Sequence, residues 1–371
     1  MNILTMLIFI LILIAILLGG HFFIYLSLVK FLNIANSSVK LWLAGILLFL
    51  SFSFILSSFL AHYNNGVLSR AIYFIFSFWV GAGWNLSMAL LVSWIVFGAS
   101  KFFGYDFDYK YLAIYSIVFM IVLSAWGFWN AYNPKIKNVT VEIKNLPQEW
   151  KNKKVVQISD VHLGHIYRSN FLKNIVDKIN QEKPDMVFIT GDLFDGMDGQ
   201  LIHLVDSLND VKAPNGIYFV TGNHETYLGV ERAAESLGET SVKILNNETV
   251  EIDGVQIVGI SYPQRGEREN FSDKIKKVAN LDYQKPNILL YHNPNSASMA
   301  KDLGIDLQLA GHSHRGQIFP FGIITYWIYG KYHSGLNKEG DFNMYTSSGT
   351  GTWGPMMRTS GRSEIVVLNF K

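Results

Sequence analysis

The chain has 371 residues, half of them apolar, a formal net charge of +2 and a mean hydropathy of +0.21, high for a soluble protein. Its 31 basic and 29 acidic side chains nearly balance, and no basic stripe offers a footprint for nucleic acid. Cysteine is absent, which excludes disulfides and thiolate metal sites.

The apolar excess lies at the amino-terminal end. Residues 1–130 carry only seven charged side chains: Lys30, Lys40, Arg70, Lys101, Asp106, Asp108 and Lys110. Four runs within them, Ile3–Phe31, Leu41–Leu60, Ala71–Phe97 and Tyr111–Trp129, are each long enough to cross a hydrocarbon core of roughly 30 Å. Trp42, Trp79, Trp94, Trp126 and Trp129 gather near their ends, as interfacial anchors do. Gly81-Ala82-Gly83 marks either close helix packing or a kink in the third. No acidic residue lies inside a run, and the only central ionisable group is His21. The helices therefore read as an anchor rather than a transport path. Lys135, Lys137, Lys144, Lys151, Lys153 and Lys154 follow the fourth run. By the positive-inside rule they place the rest of the chain, and the amino terminus, on the cytoplasmic side; Lys30 and Lys40 weigh the other way. The expected organisation is a transmembrane helical region at 1–132, a linker at 133–152 and an enzyme domain at 153–371, in a multi-pass protein of the inner (cytoplasmic) membrane.

Within the linker, Val139–Ile143 reads as a short strand before the turn at Pro147. Val155–Ser159 is the next strand. Phe171, Ile175 and Ile179, flanked by Leu172 and Val176, recur at helical spacing until Lys183-Pro184-Asp185 stops them. Strand Met186–Thr190, helix Leu201–Leu208 and strand Ile217–Thr221 follow, an alternation that predicts a largely parallel sheet covered by helices. Glu231–Leu237 reads as a helix. Val242–Asn246, Glu248–Ile252 and Gln256–Ile260 read as strands, the last two joined by an Asp253-Gly254 hairpin turn. Helix Phe271–Val278, strand Asn287–Leu290, helix Pro294–Leu303 and strand Asp306–Ala310 come next, then strands Asn343–Thr346 and Ile365–Phe370. The expected fold class is α/β, a four-layer α/β/β/α domain preceded by an all-α transmembrane region of about four helices.

Five of the β runs end alike. Asp160-Val161-His162, Gly191-Asp192, Gly222-Asn223-His224-Glu225, Tyr291-His292 and Gly311-His312-Ser313-His314 each place Asp, Asn or His just past a strand. A lone Asp there is ordinarily a turn or helix cap, and a lone Asn-His pair a loop. Five such tips together describe a metal site, because carboxylate and imidazole bind borderline divalent ions such as Mn, Fe, Co, Ni or Zn. Two such ions about 3.5–4 Å apart lower the pKa of a shared water and align it for in-line attack on phosphorus.

Those ordered motifs resemble the calcineurin-like metallophosphoesterases over roughly residues 150–371, and most of all the membrane-associated bacterial phosphodiesterases of the YkuE/YaeI type. Gly316-Gln317 and the Gly349-Thr350-Gly351-Thr352-Trp353-Gly354 run match further features of that group. The resemblance implies one metal held by Asp160, His162 and His314, another by Asn223, His292 and His312, with Asp192 bridging; Mn is the expected pair. It implies that His224 polarises a phosphoryl oxygen or protonates the leaving group, and that His224 and Asp192 are the catalytic residues. A structural imidazole fixing Asn223 is the alternative for His224. Glu225 reads as a capping group, and His165 either positions substrate or caps the segment after it. Relatives carry Gly-Gly-Gln after the last histidine where this chain has Arg315-Gly316-Gln317, so the substrate pocket is expected to differ. Arg315, Arg358 and Arg362 are candidates for a diphosphate clamp.

The aromatic, apolar run Ile318–Tyr329 is too short to span a membrane. It reads either as a core strand and turn or as a lipid-facing or acyl-binding flap. The expected partners are the phospholipid bilayer and an amphiphilic or nucleotide-linked phosphate substrate. Because relatives hydrolyse the lipid A precursor UDP-2,3-diacylglucosamine, the resemblance makes that compound the leading substrate. The alternatives are a general phosphodiesterase or phosphatase acting on soluble esters, and a transporter or sensor with a degenerate hydrolase domain.

Overall fold

The computed structural model describes residues 3–197, 201–264, 266–267, 270–278 and 281–371. The chain divides into two compact units, Met1–Phe128 with Gly354–Met357, and Trp129–Trp353 with Arg358–Lys371.

The first unit is built on helices α1 (Ile3–Phe31), α2 (Ser37–Tyr63) and α3 (Val67–Phe102), and on most of α4 (Lys110–Tyr132). All four are long and apolar enough to cross a bilayer, consistent with a multi-pass membrane protein. Polar side chains tie the helices to one another. Trp79 Nε1 donates to His21 Nε2 at 3.0 Å, Trp94 Nε1 to Ser27 Oγ at 2.8 Å, and Asn85 Nδ2 to Ser124 Oγ at 3.0 Å. The other ring nitrogen of His21 donates to the Leu17 carbonyl at 2.8 Å, so both nitrogens are occupied structurally. Helix α3 is unbroken, and its buried Gly81-Ala82-Gly83 is a packing feature rather than a kink. A Cβ on Gly81 would lie 2.6 Å from Met357 Sδ.

The second unit holds two six-stranded sheets. The first has the order β1 (Lys135–Val141), β12 (Glu364–Phe370), β2 (Lys154–Ile158), β3 (Met186–Thr190), β4 (Ile217–Val220), β5 (Val242–Ile244). The second runs β10 (Gly335–Glu339), β11 (Phe342–Thr346), β9 (Leu307–Ala310), β8 (Asn287–Leu290), β7 (Val255–Gly259), β6 (Glu248–Ile252). In each, the strands that carry the site are parallel: β2 to β4 in one, β8 and β9 in the other. Trp150, Phe188, Leu290, Leu309 and Tyr345 are buried in one apolar cluster drawn from both sheets. Helix α5 (Ser169–Glu182) inserts Phe171, Leu172, Ile175, Val176 and Ile179 against the outer face of the first sheet. It stops at Lys183, in a left-handed conformation ahead of Pro184. Helices α6 (Ile202–Val205), α7 (Asn223–Leu228) and α8 (Val230–Leu237) complete that side, while α9 (Phe271–Val278) and α10 (Ala297–Asp302) cover the second sheet. The mixed α/β fold is therefore the four-layer arrangement expected.

Three local expectations change. The linker strand starts earlier than Val139, at Lys135, and pairs in parallel with the closing strand. Strand β10, too polar to stand out, exists as the hairpin partner of β11. Ile318–Tyr329 is not a core strand: its greater part is helix α11 (Phe321–Tyr329), in which no residue is buried.

Candidate metal centre

Each tip residue leaves the carboxyl end of its strand through a tight turn. Asp160 (φ 53°), His162 (54°), Asp192 (50°), His312 (70°) and His314 (48°) all adopt the left-handed conformation that non-glycine residues avoid. Such backbone strain concentrates at sites that the surrounding structure over-determines. Here the bracing is visible. Glu225 accepts three buried backbone N–H groups, from Gly222 at 2.7 Å, Asp192 at 3.0 Å and Phe194 at 3.0 Å. It is the capping group anticipated. Gly222 allows the close approach this requires, since a Cβ there would lie 2.2 Å from Asp192 Oδ1. Thr350 N donates to Ser159 O and Gly351 N to Asp160 O, both at 2.8 Å, which gives the late Gly-Thr-Gly run a bracing role.

The turns bring the donors together. Asp160, His162 and His314 form one group whose donor atoms lie within 4.8 Å of one another; Asp192, His292 and His312 form a second; His162, Asp192 and His224 form a third. His162 Nε2 and His314 Nε2 are 3.1 Å apart, close to the separation of two imidazoles on one ion at about 2.1 Å. His314 Nε2 is 3.3 Å from Asp160 Oδ1, and His292 Nε2 is 3.0 Å from Asp192 Oδ2. His292 donates its other nitrogen to the Thr190 carbonyl at 2.7 Å, which leaves Nε2 as the atom turned to the site. Asn223 Oδ1 is buried with no hydrogen-bond partner, a costly state that a cation would relieve. Oxygen and imidazole donors in this arrangement fit a pair of divalent ions.

Charge follows burial. Burial pushes His162 and His314 well below the usual imidazole range, and burial with the nearby His292 brings His312 down to about 4. These rings present neutral nitrogens at pH 7. Burial also disfavours the charged form of His292, but the Asp192 carboxylate outweighs it and pushes the ring up to about 10. Burial raises Asp160. It would raise Asp192 too, yet His292, His224 and His162 hold that carboxylate below its usual range.

His224 is buried at the first turn of α7. Its backbone N–H donates to Asp192 Oδ1 at 2.9 Å, and its Nδ1 donates to the Asp195 carbonyl at 2.6 Å. That fixes the tautomer with Nε2 available. Asp195 itself was not foreseen. Its buried carboxylate lies 3.9 Å from His162 Nδ1, and burial pushes it up to about 6. The second acidic residue of Asp192-Leu193-Phe194-Asp195, three positions after the first, is the signal.

One of the arginines calls for correction. Arg358 is fully buried behind His314, donating to the carbonyls of Gly351 and His314, so it is no substrate clamp. Arg362 is half-buried, and its Nε donates to the Asn133 carbonyl at 3.3 Å. Arg315 is exposed on the turn after His314, at φ 52°. His165 is buried in the loop between β2 and α5, outside the three donor groups.

The sequence profile of the calcineurin-like phosphoesterases matches residues 153–316, the span that contains all of these donors. Across 274 residues the chain is 35% identical to an uncharacterised metallophosphoesterase of Campylobacter jejuni, covering 71% of this chain and 72% of that protein. The chain belongs to the calcineurin-like metallophosphoesterases. As a member of that family it is also 31% identical to a transmembrane protein with metallophosphoesterase domain from Danio rerio, over 70% of this chain and 62% of that one. It is 30% identical to the metallophosphoesterase YkuE of Bacillus subtilis, over 62% of this chain and 84% of that protein. A metal-dependent hydrolase with a dinuclear centre and membrane helices is the common ground of family, donors and fold.

Proposed function

We propose that this metallophosphoesterase cleaves a phosphodiester or pyrophosphate bond in a lipid-linked substrate, with UDP-2,3-diacylglucosamine the leading compound. The observation that carries the reaction class is that Asp192 groups with His292 and His312 on one side and with His162 and His224 on the other, His162 belonging also to the group of Asp160 and His314. In this reading Asp160, His162 and His314 would hold one ion, Asn223, His292 and His312 the other, with Asp192 available to both. Two divalent ions held there, Mn in the first instance, would supply an activated water and charge neutralisation on the phosphoryl oxygens. His224, its Nδ1 committed to Asp195, offers Nε2 to the phosphoryl oxygen or the departing oxygen.

The lipid-linked substrate is supported by confinement. Four apolar helices keep the domain in the plane where amphiphiles reside, and α11, uncharged and exposed, stands beside the donors. The Tyr329 ring is 6.2 Å from that of His312. Arg315 and Arg362 are the remaining candidate cations for a second phosphate. The lysines between 135 and 154 support a cytoplasmic catalytic domain. The complete donor set speaks against a degenerate hydrolase attached to a transporter or sensor.

The test is UMP release by the purified full chain with Mn²⁺. We expect faster release from UDP-2,3-diacylglucosamine than from its deacylated analogue. Equal rates would remove acyl recognition and favour a general phosphodiesterase.

A further inference from the structure

Helix α11 is an unusual surface element. Phe321, Ile323, Ile324, Tyr326, Trp327 and Ile328 are all exposed, Trp327 at 77%, and the helix carries no charged residue. A water-facing helix of this size ordinarily shows a polar face, and this one shows only Thr325 and tyrosine hydroxyls. Its composition, aromatic with tyrosine and tryptophan toward one end, is that of a segment seated at a membrane–water interface. It is also fastened to the metal centre. A Cβ on Gly316, two residues after His314, would lie 2.2 Å from Gly322 N, so the turn that ends the last metal motif and α11 touch backbone to backbone.

We propose that α11 is an interfacial helix whose occupant is the phospholipid bilayer, inserted among headgroups so that the metal centre works at the membrane surface. The bilayer is the partner because the same chain carries four helices suited to cross it, which keeps the domain within reach of lipid. This inference rests on the hydrolase reading only for its consequence: the scissile phosphate is met at headgroup depth while the acyl chains remain in lipid. Insertion itself does not require turnover.

The absence of native cysteine makes the test direct. Trp327→Cys, and as reference Tyr283→Cys on the exposed segment ahead of β8, are labelled with a polarity-sensitive fluorophore in the full chain. Each is reconstituted into phosphatidylcholine nanodiscs with and without doxyl-labelled lipid. The label at 327 is expected to be blue-shifted and quenched roughly threefold or more relative to that at 283. Adding Ile324→Asp and Ile328→Asp should bring it back to the reference level. Equal, solvent-like emission at both positions would overturn the proposal. Failure of the hydrolase reading would show separately, as no Mn²⁺-dependent turnover of bis(p-nitrophenyl) phosphate by protein whose label at 327 is quenched.

Discussion

Nη2 of the fully buried Arg358 lies 3.2 Å from Nδ1 of the part-buried His314. The guanidinium packs behind the ring, whose Nε2 faces Asp160 and His162. The same guanidinium satisfies the carbonyls of Gly351 and His314. Replacing it with methionine would strand the buried Gly351 carbonyl, while the His314 carbonyl keeps the Gln317 N–H, and destabilise the domain by roughly 1–3 kcal/mol. Thermal unfolding of the metal-free protein measures this. Arg358→Lys should recover part of the stability but not the ring orientation, and so should bind Mn²⁺ more weakly than the wild type.

Glu225 predicts a loss of stability of a different kind. Its carboxylate gathers the N–H groups of Gly222, Asp192 and Phe194, and Glu225→Ala leaves all three buried without an acceptor. The expected cost is roughly 3 kcal/mol or more, read as a lowered Tm before any metal is added.

His224→Gln should lower turnover by roughly 10²–10⁴-fold, the usual range for a positioned acid or base. Metal content should stay at the wild-type value if the ring acts on substrate and not as a ligand. The defect should be larger for an alkyl leaving group than for p-nitrophenolate, which departs without a proton. Equal defects for the two would favour a purely structural imidazole.

Metal uptake should release a proton. His292, pushed up to about 10 beside Asp192, is protonated at pH 7.5 and must lose that proton to coordinate; His162, His312 and His314 are already neutral. Affinity at this position should therefore weaken as pH falls, by up to about tenfold per unit through the neutral range. Calorimetric titration with Mn²⁺ in two buffers of different ionisation enthalpy should give about one proton released from His292.

The donors were legible in the sequence because each follows a short run of β-branched and apolar residues, and a strand fixes where its next few residues go. Asp160, Asp192, Asn223, His292 and His312 could thus be placed on one rim before any coordinates. Arg358 could not: it lies 44 residues beyond His314 on an irregular segment, and no periodicity says which way its side chain turns. Helix α11 was equally opaque. A twelve-residue apolar run reads the same whether it fills a core or lies on a surface, and only tertiary context decides. Strand β10 was hidden for the opposite reason, since Gly335-Leu336-Asn337-Lys338-Glu339 is polar and becomes a strand through its pairing with β11.

Metal stoichiometry in Asp192→Asn, measured by elemental analysis alongside hydrolysis of bis(p-nitrophenyl) phosphate, bears most directly on the shared carboxylate. The wild type should carry about two ions per chain, and the variant about one or fewer with turnover abolished even at saturating Mn²⁺. A variant that keeps both ions and its activity would contradict a centre joined through Asp192.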